Sequence, residues 1–145
     1  MIGIIVGSDS DLDTMNNCAD KLKELNIWYD MVVASAHRNP DAVTRFIKSC
    51  EEKNYKIIIA AAGMSAALPG VVASQTKLPV IGVPMKSDLM GIDSLLSIVQ
   101  MPKGVPVACM SVGKHGAINA ALYAKRILDL GVNKVVIDID PPYGA

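Results

Sequence analysis

Ile57-Ile58-Ile59-Ala60-Ala61-Ala62-Gly63-Met64-Ser65-Ala66-Ala67-Leu68-Pro69-Gly70 opens a run that carries no charge as far as Thr76. Its length is about that of a membrane-spanning helix. Its interior argues otherwise: Gly63, Ser65, Pro69, Gly70 and Gln75 interrupt it. The better reading is a strand over Lys56–Ala61, buried on both faces, then a turn over Gly63–Gly70, then a helix to about Gln75. That helix has almost no polar face, which predicts that it is covered all round, in part by another subunit.

The same alternation extends in both directions. Gly3–Val6 reads as a buried parallel strand, and Leu12, Met15, Ala19, Leu22 and Leu25 follow at helical spacing. Ser10 with Asp13 has the spacing of a capping box. Trp28–Ala34 is a second strand, and Val43, Phe46, Ile47 and Cys50 mark the inward face of a second helix. Pro79–Val83 and Val105–Val112 read as further strands, with a helical stripe of Ile92, Leu95, Leu96 and Val99 between them. Ile118, Ala121, Leu122 and Leu128 define a last helix closed by Gly131, and Lys134–Asp140 is a candidate short strand. The expectation is one doubly wound α/β domain over residues 1–145, three layers around a parallel sheet of about five strands, with an irregular tail from about residue 131.

Composition narrows the function classes. Fourteen basic and fourteen acidic residues cancel, which argues against a nucleic-acid or anionic-membrane surface. Cys18, Cys50 and Cys109 lie far apart in apolar-periodic segments. They read as reduced core thiols of an intracellular protein, with no structural zinc site. Met1-Ile2-Gly3-Ile4 lacks the basic start of a signal peptide. An apolar share of 51% with only 4% aromatics implies an aliphatic core and surface buried by other copies of the chain.

Three strand-end turns carry the chemistry. Ser35-Ala36-His37-Arg38-Asn39-Pro40 puts a hydroxyl, an imidazole and a guanidinium ahead of a helix, with Asn39 a candidate N-cap and Pro40 at the first helical position. Arginine can grip a phosphate bidentately, and histidine can move a proton near neutral pH. A capping histidine beside a surface arginine is the plainer alternative. Gly7-Ser8-Asp9-Ser10-Asp11 offers hydroxyls and backbone amides at a helix start. Its two carboxylates suit ribose hydroxyls better than a pyrophosphate, although a ligand-free capped turn would look the same. With no G-x-G-x-x-G and no Walker lysine, NAD and ATP are poorly supported. In Gly63–Gly70, small residues flank Ser65, which suits an anion or carbon dioxide pocket and equally suits tight strand–helix packing. His115 reads as a capping or surface residue, and Met85, Met90, Met101 and Met110 as core and interface filling.

Taken together, Gly7–Asp11, Ser35–Pro40, Ala62-Gly63 with Leu68-Pro69-Gly70, Pro79–Pro84, Gly91–Leu95, Ser97–Val107 and Asn119–Leu122 resemble the aminoimidazole ribonucleotide carboxylase and mutase family of purine synthesis. The resemblance runs from Ile2 to about Leu130, and the run through Gln100-Met101-Pro102 is its most specific part. It implies a flavodoxin-like subunit in a cytoplasmic homo-octamer, with sites at subunit junctions and no metal or organic cofactor. Its substrates are a ribonucleotide and carbon dioxide or bicarbonate. Carried over by position, His37 is the proton shuttle, Ser8 and Arg38 hold the phosphate, Asp11 holds the ribose, and Ser10, Ser35 and Ala36 complete the cradle. Gly63, Ser65, Ala66 and Leu68 are suited to trap carbon dioxide.

In the bacterial-type branch the carboxyl moves from N5 of N5-carboxyaminoimidazole ribonucleotide to ring carbon C4; in the animal-type branch free carbon dioxide is added directly. Arg38 and the Gln100-Met101-Pro102 run favour the mutase. Ala67, where the bacterial branch usually has histidine, and Met64-Ser65 lean toward the carboxylase. The Gly63-Met64 and Ala67-Leu68-Pro69 pattern is also similar to the pyridinium mononucleotide carboxylases, a paralogous alternative. The non-enzyme alternative is a nucleotide-binding or phosphoreceiver module of the same fold. A receiver needs an aspartate at the end of its third strand, where this chain has Ala60-Ala61-Ala62.

Overall fold

The computed structural model describes residues 1–131. Strands β1 (Ile2–Val6), β2 (Tyr29–Val33), β3 (Ile57–Ala62), β4 (Val80–Pro84) and β5 (Ala108–Cys109) alternate with helices α1 (Leu12–Glu24), α2 (Pro40–Glu52), α3 (Leu68–Gln75), α4 (Ile92–Val99) and α5 (Lys114–Leu130). All four strand pairings are parallel, in the order β2-β1-β3-β4-β5. This is the flavodoxin-like arrangement. The candidate strand at Lys134–Asp140 and the irregular tail lie outside the described residues.

Period-two alternation divides the core between the two faces of the sheet. Ile2, Ile4, Val6, Ile57, Ile59, Ala61, Ile81 and Val83 pack under α1 and α5, against Met15, Cys18, Leu22, Ala117 and Ala121. Ile5, Ile58, Ala60, Ala62 and Val80 face the other way, under Val43 and Ile47 of α2, Leu68 and Val72 of α3, and Ile98 of α4. Strands β1, β3 and β4 are buried throughout, whereas β2 and β5 are half-exposed edges. Burial pushes the Cys18 and Cys50 thiols up to about 12, consistent with packing rather than reactive roles.

The helix after β1 covers one face and the helix after β3 covers the other. The chain thus switches direction between two adjacent strands, and the carboxyl ends of β1 and β3 border a crevice. Gly82 lets the second face close. A Cβ there would lie 2.4 Å from Ile98 Cγ2, 3.0 Å from Val107 Cγ1 and 3.3 Å from Pro69 Cβ. Three elements converge on that hydrogen. Gly82→Ala is therefore expected to destabilise the fold by about 1–2 kcal/mol through overpacking, seen as a lower urea midpoint. An unchanged midpoint would show that the neighbours yield freely.

Local expectations needed correction in three places. The fifth strand is two residues long, not Val105–Val112. It lies on an edge, and Pro106 has no N–H for a ladder; beyond it, Met110 N–H bonds the Gly82 carbonyl (2.9 Å) and Gly113 N–H the Pro84 carbonyl (2.9 Å). The Ser10–Asp13 capping box does not form. Asp9–Asp11 is a 3-10 turn capped by Ser8, and Asp11 enters α1 with helical backbone and no side-chain cap bond. Asn39 takes the N-cap position of α2 with Pro40 following as expected, but its side chain makes no cap bond. On α4, Ser94 and Ile98 point inward, whereas Ile92, Leu96 and Val99 are 55%, 58% and 49% exposed. The helix is apolar on two sides, and its period alone does not say which side meets its own sheet. On α3, Leu68, Pro69 and Val72 are buried while Ser74 and Gln75 face out.

Candidate active site

A cleft of about 640 Å³ opens where the turns after β1, β2, β3 and β4 meet. That volume suits a small-molecule ligand. Ser8, Ser10, Asp11, Ser35, Ala36, His37, Arg38, Gly63, Ser65, Ala66 and Leu68 all line it. The topology brings them together: in a parallel sheet every strand-end turn lies along the same edge.

Each wall is internally tied. In the turn after β2, Ser35 N–H bonds Asn39 Oδ1 (2.5 Å), Arg38 N–H bonds Ser35 Oγ (3.2 Å), and Asn39 N–H bonds the Ser35 carbonyl (3.0 Å). The asparagine side chain thus turns back to close the loop instead of capping α2. The loop presents His37 and Arg38, both exposed, toward the cleft. Arg38 reaches across to the turn after β1, where its Nη2 donates to the Gly7 carbonyl at 3.3 Å.

In that neighbouring turn the Ser8 and Ser10 hydroxyls lie 2.9 Å apart, and Ser8 Oγ also accepts from Ser10 N–H at 3.4 Å. Burial pushes the Asp11 carboxyl above its ordinary value. A part-desolvated carboxylate gains from ligand hydroxyls that replace lost water. Gly7 sits low in the cleft: a Cβ there would lie 3.5 Å from Ala62 Cβ and 3.7 Å from Leu68 Cδ2.

The turn after β3 forms the small apolar wall. Ala66 and Leu68 are buried, and Ser65 is exposed. Ala66 N–H bonds the Met64 carbonyl (2.9 Å) and Ala67 N–H the Ser65 carbonyl (2.7 Å). To make this tight turn, Met64 adopts φ +56° and places its side chain 68% exposed at the cleft mouth. A non-glycine residue held at positive φ beside a ligand cleft is the sort of local strain that packing must maintain.

Six further residues line the cleft beyond those given site roles from the sequence: Gly7, Ala62, Met64, Ala67, Lys86 and Ser87. Lys86 and Ser87 are the most consequential, since Lys86 brings a third charged side chain beside Asp11 and Arg38. The available signal was position: they directly follow the fourth strand, on the same edge as the other turns. His115 is exposed in the first turn of α5 and is not among the lining residues. A second cleft, of about 530 Å³, runs beside Thr76–Val80, Gly104, Pro106 and Ala108, and Lys77 is its sole charged lining residue.

Fold and cleft define a doubly wound α/β protein with a strand-end cleft at its topological switch point. The family model described as AIR carboxylase matches residues 1–140. This chain belongs to that family. It is 55% identical over 129 residues to the N5-carboxyaminoimidazole ribonucleotide mutase of Bacillus subtilis, covering 88% of this chain and 80% of that one. It is 50% identical over 128 residues to the mutase of the same name from Escherichia coli K12, covering 88% and 76%. Among solved structures it is similar to Treponema denticola PurE, with a TM-score of 0.81 and 34% identity over 89% of this chain and 80% of that one. Among the described residues no helix is long and apolar enough to cross a membrane.

Proposed function

We infer that this chain is an N5-carboxyaminoimidazole ribonucleotide mutase, which moves a carboxyl group from the exocyclic amine to ring carbon C4. The observation that carries the reading is the convergence of Ser8, Asp11, His37, Arg38 and the Gly63–Leu68 turn on one cleft, in a chain at least half identical to several proteins of that name.

His37 is the proton carrier in this reading. Its imidazolium gives a proton to N5 as the N5–carboxyl bond breaks, leaving a neutral amine and carbon dioxide. C4 then attacks the carbon dioxide carbon, forming the new C–C bond. The imidazole, now neutral, removes the C4 proton and restores the aromatic ring. One residue thus begins and ends the cycle in the same state. Ser8 and Arg38 hold the phosphate, Asp11 holds the ribose, and Ser10, Ser35 and Ala36 complete the cradle. Gly63, Ser65, Ala66 and Leu68 retain carbon dioxide beside C4. Positioning and water exclusion supply much of the rate.

Water exclusion also supports an oligomer, because the cleft is open on one side in the single chain. The outward stripe of Ile92, Leu96 and Val99, continued by Leu89 and Met90, is suited to burial against other copies, with an octamer as the family-type assembly. A cytoplasmic location fits reduced thiols and a purine-synthetic substrate.

The deciding assay offers the N5-carbamate in one arm and aminoimidazole ribonucleotide with high bicarbonate in the other. Faster turnover of the carbamate is expected. Preference for the second arm would instead establish the carbon dioxide-dependent carboxylase, the reading favoured by Ala67. Failure of both arms would point to a different ribonucleotide.

A further inference from the structure

We propose that Lys86 is the anchor for the carboxylate end of the substrate, paired across the cleft with Arg38 at the phosphate end. The assignment rests on the mutase reading and adds to it a second anion subsite.

The placement of Lys86 is fixed by its neighbours. Met85 N–H extends the β3–β4 ladder by bonding the Ala62 carbonyl (2.9 Å), and a Cβ on Gly63 would lie 3.3 Å from Met85 Cβ. Lys86 therefore emerges beside the apolar wall at the end of β3. Two ties from the first turn of α4 hold the backbone on either side of it. The buried Ser94 hydroxyl donates to the Met85 carbonyl (2.6 Å), and the Ser87 hydroxyl donates to the Asp93 carboxylate (3.1 Å to Oδ2). Among the described residues the Lys86 amine enters no ion pair.

Charge and spacing favour a ligand with two anionic ends. Arg38 follows β2 and Lys86 follows β4, and three strand spacings separate those strands, about 14 Å at the usual distance between neighbours. Asp11 is the one acidic side chain lining the cleft between them. A mononucleotide laid along that direction has its phosphate at one end and its base at the other. The planar guanidinium beside the serine turn suits the phosphate. The ammonium beside the Gly63–Leu68 wall suits the carboxylate that starts and finishes there.

This role has a kinetic signature. The migrating group is anionic in substrate and product but neutral as carbon dioxide between them. A cation at Lys86 thus stabilises the two bound end states and contributes little at the midpoint, so where chemistry limits turnover its loss should raise KM and kcat together and leave kcat/KM nearly unchanged. Lys86→Gln is expected to raise KM for the N5-carbamate, and for the C4-carboxylated product in reverse, by about tenfold. It should leave kcat/KM within about twofold, kcat rising with KM, and leave inhibition by uncarboxylated aminoimidazole ribonucleotide unchanged. Lys86→Arg should restore most of the affinity. Equal weakening of carboxylated and uncarboxylated ligands, no change in either, or a fall in kcat at constant KM would each overturn the assignment. If the unmodified protein turns over neither carboxylated nucleotide, the mutase reading falls and takes this subsite with it. If it turns them over and Lys86→Gln shows none of the carboxylate dependence, only the subsite falls.

Discussion

His37→Asn should bind the nucleotide with near-normal affinity while turnover falls by about two to four orders of magnitude. Asparagine keeps a hydrogen-bonding side chain of smaller size but cannot carry a proton between N5 and C4. The fold has little reason to notice the change. His37 is exposed, and the loop around it is held by bonds among Ser35, Arg38 and Asn39 that do not involve the imidazole. Calorimetric binding of aminoimidazole ribonucleotide alongside turnover of the carbamate separates the two effects. Turnover close to that of the unmodified protein would remove His37 from the mechanism.

The next largest effect is expected at Arg38. Arg38→Ala should weaken phosphorylated ligands by about ten- to a hundredfold, the range for losing hydrogen bonds to a charged partner. The dephosphorylated nucleoside should bind both proteins alike. An equal loss for nucleotide and nucleoside would mean that the guanidinium matters through its bond to the Gly7 carbonyl, as a tie between two turns rather than as a phosphate grip. Arg38→Lys distinguishes these further: lysine keeps the charge but lacks the fork, so it should recover only part of the phosphate-dependent affinity.

The sheet was legible in the sequence because buried parallel strands announce themselves as short β-branched runs. Gly3–Val6, Lys56–Ala61 and Pro79–Val83 each lie within one or two residues of the strands observed. The cleft was legible for a different reason. Once strand and helix alternate, the turns after the strands share an edge, and the serines, aspartate, histidine and arginine stood in those turns. What escaped depended on non-local partners. Asn39 had a side-chain acceptor free for either α2 or Ser35, and only the folded loop decides between them. The α4 stripe fits a helix period whichever side faces the sheet. Lys86 escaped notice because a lysine after a strand has no signature of its own until the opposite wall is in place.

The bond between Arg38 Nη2 and the Gly7 carbonyl also bears on how quickly a ligand can be captured. A long, flexible side chain ordinarily surrenders much of its rotational freedom at the moment of association. Here part of that restriction is met in the resting protein by a neutral acceptor, the Gly7 carbonyl at 3.3 Å. In the proposed mutase, a phosphoryl group arriving at Arg38 would therefore meet a guanidinium that needs only to exchange one oxygen for another, and recognition would become a handover rather than a search.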